Sequence, residues 1–125
     1  MRWLLVLVAA PVTLAGAPVA FGVVAGSHVS IHADPPAFSG RVSAEDYPIC
    51  KRHRKVVLYK VRPGHDRKLD HAFTSRHGRW LIFNIHPIQK RVASQFYVKV
   101  RFRTISRKGT GFVCDRTRSR VISVG

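Results

Sequence analysis

The chain has 125 residues and a formal net charge of +16, from 22 Lys/Arg against six Asp/Glu. That length is enough for one domain around one modest core. Of the two cysteines only Cys50 has a close potential ligand, His53, and a single such pair leaves a zinc site without support.

Met1 to Ala10 has the form of a secretory leader, with Arg2 ahead of an apolar run that extends from Trp3 to Ala25. Val23-Val24-Ala25 supplies small residues for cleavage before Gly26, whereas Ala15-Gly16-Ala17 would put Pro18 after the cut. The rival reading is an uncleaved anchor, since the run is long enough to span a bilayer and Arg2 would stay in the cytoplasm. Pro11, Gly16, Pro18 and Gly22 interrupt the run and favour a signal peptide over 1–25. Both readings place the basic body outside the cytoplasm, as a secreted or extracytoplasmic protein. Only the anchor would make the membrane a partner.

The next segment, 26–37, reads as a linker ending in Asp34-Pro35-Pro36, because paired prolines favour extended, solvated chain. A domain over 38–125 follows, built of short β-type runs between turn signals. Phe38–Ser43 is the first predicted strand, and Ala44–Lys51 is a loop holding Pro48 and Cys50. Arg54–Arg62 is rich in β-branched and aromatic residues and ends at Pro63-Gly64. Leu69–Thr74 is a weaker strand, Ser75–Gly78 a turn, and Trp80–His86 a strand stopped by Pro87.

Ser94–Thr104 carries the clearest pattern. Phe96, Val98, Val100 and Phe102 alternate with Tyr97, Lys99, Arg101 and Arg103, which predicts one apolar and one cationic face. After a turn at Lys108–Gly111, Phe112–Asp115 and Val121–Val124 are the last strands. Seven short strands imply an all-β antiparallel sandwich or barrel. The predicted core is Val42, Val56, Leu58, Phe73, Trp80, Ile82, Phe96, Val98, Val100 and Phe102.

Cys50 and Cys114 predict a disulfide, on the ground that an exported small domain has an even cysteine count. The alternative is two buried free thiols. Without the leader the charge is +15 and uneven: residues 26–70 are net +4, and residues 71–125 are net +11. Such a field attracts polyanions such as cell-surface polymers, sulfated or phosphorylated glycans, nucleic acid or anionic lipid heads. Arg outnumbers Lys, so compositional bias is the competing explanation.

The segments Phe38-Ser39-Gly40-Arg41-Val42, Val56-Val57-Leu58-Tyr59, Thr74-Ser75-Arg76-His77-Gly78-Arg79-Trp80 and Tyr97-Val98-Lys99-Val100 occur in that order. With Cys50 and Cys114, this order resembles exported transthyretin-like (prealbumin-like) domains, including carboxypeptidase regulatory-like domains. The resemblance covers about residues 38–124 and implies a seven-stranded antiparallel Greek-key β-sandwich. It implies no single function. The Tyr-Arg-Gly-Ser ending of the hydrolase branch is absent, since this chain ends Val121-Ile122-Ser123-Val124-Gly125. Asn84 alone is available for the Lys–Asn links of surface adhesins, and it falls in a middle strand.

No catalytic set emerges. Glu45 and Asp46 are adjacent and project differently, and Ser75 lies near His77 without an acidic partner. No cofactor is expected. Cleavage before Gly26 would expose Gly26-Ser27-His28, whose amine, amides and imidazole can ring Cu(II) or Ni(II); the competing reading is a solvated His in a flexible tail, and no metal site is predicted.

The remaining candidate is the row Tyr97, Lys99, Arg101 and Arg103. Alternate strand residues lie about 6.7 Å apart, a spacing at which cations can track a phosphate or sulfate chain while Tyr97 stacks a sugar or base. Lys51–Lys55 and Arg116, Arg118 and Arg120 form further basic clusters. The expectation is a non-enzymatic module that binds an anionic cell-envelope or extracellular polymer, with no specific nucleic acid. The alternative is a structural spacer without a ligand, whose cationic strand face deters edge pairing.

Overall fold

A computed structural model describes residues 20–83, 94–107 and 109–125. These residues form an all-β fold of twelve short strands and one 3-10 turn. The first 19 residues of the expected leader, and the end of the strand expected over Trp80–His86, lie outside the described residues.

The strands are β1 (Ala20–Ala25), β2 (His28–Val29), β3 (His32–Asp34), β4 (Ala37–Ser43), β5 (Lys55–Lys60) and β6 (Arg67–Phe73). They continue as β7 (Arg79–Phe83), β8 (Ser94–Val100), β9 (Arg103–Arg107), β10 (Thr110–Cys114), β11 (Thr117–Arg118) and β12 (Ile122–Val124). One sheet runs β11-β8-β5-β6, with β12 also on β8. A second is built on β4, which pairs with β2, β3 and β7. A third, small sheet runs β1-β10-β9.

The first two sheets share one core. Phe38, Val42, Trp80 and Ile82 come from the β4 sheet, and Val56, Leu58, Phe96, Val98 and Val100 from the β8 sheet. Phe38 and Phe96 meet with ring centroids 5.0 Å apart. Period-two alternation explains this set, since 38, 42, 80 and 82 share one face of paired β4 and β7. A smaller apolar cluster surrounds Cys50 and Cys114 with Ala25 and Ala44.

Several sequence expectations change. The stretch 26–37 is not a spacer: β2 and β3 pair with β4, and Ile31 between them is buried. Pro35-Pro36 forms the turn that folds β3 back on β4 rather than extending the chain. Residues 20–25, expected to end a leader, also take part, because β1 pairs in parallel with β10 and Ala25 is buried. The parallel β1–β10 pair means that the sheets are not wholly antiparallel as expected, and a cut before Gly26 would remove that strand.

Phe73 and Phe102 are exposed rather than core. Phe73 stands opposite Lys55 on the face of β6 turned away from the core. The long strand expected over Ser94–Thr104 ends at Val100, and the chain crosses to β9 in another sheet. Phe102 lies in that crossing, where the alternation no longer applies.

Gly78 supports the predicted turn after β6. Its φ is +82°, and its amide donates to Ser75 O at 3.0 Å. The Ser75 hydroxyl accepts from the amides of His77 and Arg79 at 3.2 and 3.1 Å, so it closes the turn.

Candidate functional site

Cys50 and Cys114 form a disulfide with a Cα–Cα distance of 5.4 Å. It ties the 3-10 turn Pro48–Lys51 to the end of β10. Such a bridge marks an oxidising, extracytoplasmic environment. Among the described residues no helix is long and apolar enough to cross a membrane.

Beside the bridge lies Arg54, fully buried. Its guanidinium faces backbone oxygens. Nη1 donates to Cys50 O at 2.7 Å and Ser27 Oγ at 2.9 Å. Nε and Nη2 donate to Arg101 O at 3.2 and 2.9 Å, and Nη2 also to Asp115 O at 2.6 Å. Burial, with Arg103 adding to it and Asp115 opposing, lowers its pKa to about 10. Sequence reasoning grouped Arg54 with a surface basic cluster. The missed signal was its place in front of a β-branched run, next to the loop that holds Cys50.

Arg54 sits at a fork. β8 and β11 pair through Val100 opposite Thr117 and Lys99 opposite Arg118. Continuing that register one step puts Arg101 opposite Arg116. Here the β8–β11 pairing ends, and the Arg54 guanidinium takes the carbonyls of Arg101 and Asp115.

A groove of about 510 Å³ lies over this fork, lined by Val57, Tyr59, Lys99, Val100, Arg101, Phe102, Arg116, Thr117 and Arg118. Four of these residues are cations. In regular strands, cross-strand neighbours have Cβ atoms about 5 Å apart, and alternate residues lie about 6.7 Å apart along the strand. Lys99 and Arg118 are therefore close neighbours, and Arg101 and Arg116 extend the same array on the stretches just beyond the paired residues. Phe102, 63% exposed, adds an apolar surface.

The aromatic floor is already occupied. Tyr59 and Tyr97 stand opposite each other on β5 and β8 and stack at 5.3 Å between centroids. Lys99 Nζ lies 5.1 Å from the Tyr59 ring centre, and the Arg118 guanidinium 4.3 Å from that of Tyr97. The Tyr97 hydroxyl donates to Asp66 Oδ2. Burial, and then the bond to Asp66, raises the Tyr97 phenol to about 12. Asp66 is held below the usual carboxylate range, first by Tyr97 and then by the Arg62 amide, with smaller help from Arg118 and Lys99.

The four residues of the expected cationic row thus separate. Lys99 and Arg101 line the groove. Tyr97 is buried under Tyr59 and Arg118, which leaves no open ring face for a sugar or base. Arg103 belongs to β9, opposite Cys114, and its Nη1 donates to Arg52 O at 2.7 Å. Arg116 and Arg118, noted in sequence only as a separate cluster, complete the array through the β8–β11 pairing.

Gly26-Ser27-His28 is also placed differently from a free terminal chelate. Ser27 is buried against Arg54, and the carbonyl of Ala25 accepts from the Asp115 amide at 2.9 Å.

No family model matches the chain, and no curated protein or solved structure is detectably similar to it.

Proposed function

We propose that this is a secreted or surface-associated, non-catalytic module that binds an anionic cell-envelope or extracellular polymer through the groove over the β8–β11 fork. In this reading the chain carries an N-terminal signal peptide, and its sheets are a variant of the transthyretin-like Greek-key sandwich. The core shared by the β4 and β8 sheets supports that fold assignment.

One observation carries the binding reading. Lys99 faces Arg118 directly across two strands, and Arg101 and Arg116, just past the last paired residues, line the same groove. Like charges directly opposite one another destabilise a sheet. A multivalent anion laid over both pairs removes that repulsion and gains contact with all four cations. Phosphate or sulfate groups are recognised this way by charge, without reading of sequence.

Retention on heparin, as salt is raised from about 50 to about 500 mM, tests the reading. The wild-type chain should elute later than the quadruple variant Lys99→Gln/Arg101→Gln/Arg116→Gln/Arg118→Gln. Equal elution of the two would leave the spacer reading in its place.

A further inference from the structure

We propose that Arg54, locked in place by the Cys50–Cys114 bridge, is a positioning residue for the groove, so that anion binding requires the bridge to be oxidised. This inference rests on the groove reading above and concerns its regulation.

The two walls of the groove come from separate stretches of chain. Arg101 and Phe102 follow β8, and Arg116 precedes β11. Beyond the Val100–Thr117 pair no ladder bond holds these stretches to each other. Arg54 Nη2 does so, since it donates to both Arg101 O and Asp115 O. The Arg101 amide is anchored on Lys55 O at 3.0 Å and the Asp115 amide on Ala25 O at 2.9 Å, so the two stretches hang on different strands and the Arg54 guanidinium ties them to each other, at or beside the points where the Arg101 and Arg116 side chains leave the backbone.

The guanidinium is fixed in turn from behind. The Arg54 amide donates to Thr74 Oγ1 at 2.8 Å, and that hydroxyl donates to Lys51 O at 2.7 Å. Nη1 holds Cys50 O, the carbonyl of one bridged cysteine, and Asp115 directly follows the other. The disulfide therefore keeps two of the acceptors of Arg54 at fixed separation. A buried guanidinium needs all its partners, because an unpaired buried charge is costly. If Cys50 and Cys114 move apart, Arg54 loses that cage and the two walls lose their common tie.

Reduction converts the bridge to two thiols, taking up two electrons and two protons from a dithiol reductant, which is itself oxidised to a disulfide. The thermodynamic counterpart is reciprocal: an anion that prefers the oxidised form must favour the bridge by the same factor. An oxidised exported protein would then hold its polymer, and a reducing environment would release it.

The experiment measures heparin affinity of the full chain against salt concentration. The probes are the oxidised protein, the protein equilibrated with a dithiol, and oxidised Arg54→Lys. Lysine keeps the positive charge but cannot bridge the Arg101 and Asp115 carbonyls while also reaching Cys50 and Ser27. Both perturbed forms should bind about ten- to a hundred-fold more weakly. Their salt dependence should be shallower by about two contacts, the loss of Arg101 and Arg116 from the array. A merely stabilising Arg54 would leave the salt slope of the oxidised, folded Arg54→Lys variant unchanged, and that result overturns the proposal. If reduction unfolds the chain, the Arg54→Lys slope decides alone. Oxidised wild type binding no better than the quadruple groove variant is a different failure: it sinks the groove reading itself.

Discussion

Lys99 and Arg118 stand directly opposite each other on β8 and β11, and each rests over a tyrosine of the stacked Tyr59–Tyr97 pair. The rings offset part of the repulsion, since a cation held over an aromatic face gains at least about 0.5 kcal/mol. The two charges should still oppose each other. A double-mutant cycle with Lys99→Gln and Arg118→Gln, read by denaturant unfolding without ligand, is expected to give a repulsive coupling of about 0.5 kcal/mol. The coupling should fade as salt is added. A favourable coupling at low salt would mean that the pair serves stability and not binding.

The Cys50–Cys114 bridge spans a sequence separation of 64 residues. On the chain-entropy model, closing a loop of that size stabilises the fold by about 4 kcal/mol. Cys50→Ala/Cys114→Ala should therefore lose about that much in urea unfolding, a large share of the stability of a small domain. Loss of less than about 1 kcal/mol would place the stability of the bridged region elsewhere, in the Arg54 bonds. Mass analysis of non-reduced protein provides the direct check, since the bridge removes two hydrogens.

Period two was legible wherever a strand stays in one sheet. Val56, Leu58, Phe96, Val98 and Val100 are buried as the alternation predicts. The same rule misplaced Phe102 because a period says nothing about where a strand leaves its sheet. The clamp was illegible for a related reason. Arg54, Arg101 and Asp115 are far apart in sequence, and an arginine bonded to backbone carbonyls needs no acidic partner for a pattern to find. The partners of Lys99 on β11 were hidden likewise, because a two-residue strand such as Thr117–Arg118 carries no periodic signal. Ile31 escaped because Pro35-Pro36 suggested extended chain, whereas its burial depends on the return of β3 along β4.

The Tyr97–Asp66 hydrogen bond should give stability two pH limits. The folded carboxyl of Asp66 lies below its ordinary 3.8, so its contribution is full above that value and is lost as the pH falls through the folded pKa. The Tyr97 phenol is raised from 10.0 to about 12, so its contribution is full below pH 10 and is lost as the pH rises through about 12. The stability gap between wild type and Tyr97→Phe, followed by denaturant unfolding across pH, should be level near neutrality and close on both sides. Arg54 contributes to both proteins and cancels in the difference. A gap that stays constant on acidification well below 3.8 would show that Asp66 does not support Tyr97.

Gly40 explains why the early strands come in two pieces. Ser30, between β2 and β3, lies close beside β4: its amide donates to Arg41 O at 3.0 Å, and its Oγ accepts from the Arg41 amide at 3.0 Å. A Cβ at residue 40 would lie 2.0 Å from Ser30 O and 2.8 Å from Trp80 Cζ2, so neither backbone nor indole has room for it. Gly40→Ala must push Ser30 off the sheet or move Trp80 within the core, and overpacking of this kind costs about 3 kcal/mol. At Gly26 an added Cβ meets nothing within 4 Å, so Gly26→Ala should fall within about 0.5 kcal/mol of wild type. Denaturant midpoints of the two variants provide the comparison. Equal midpoints would mean that the segment 28–34 does not pack on β4 in solution, and the linker reading of 26–37 would then stand.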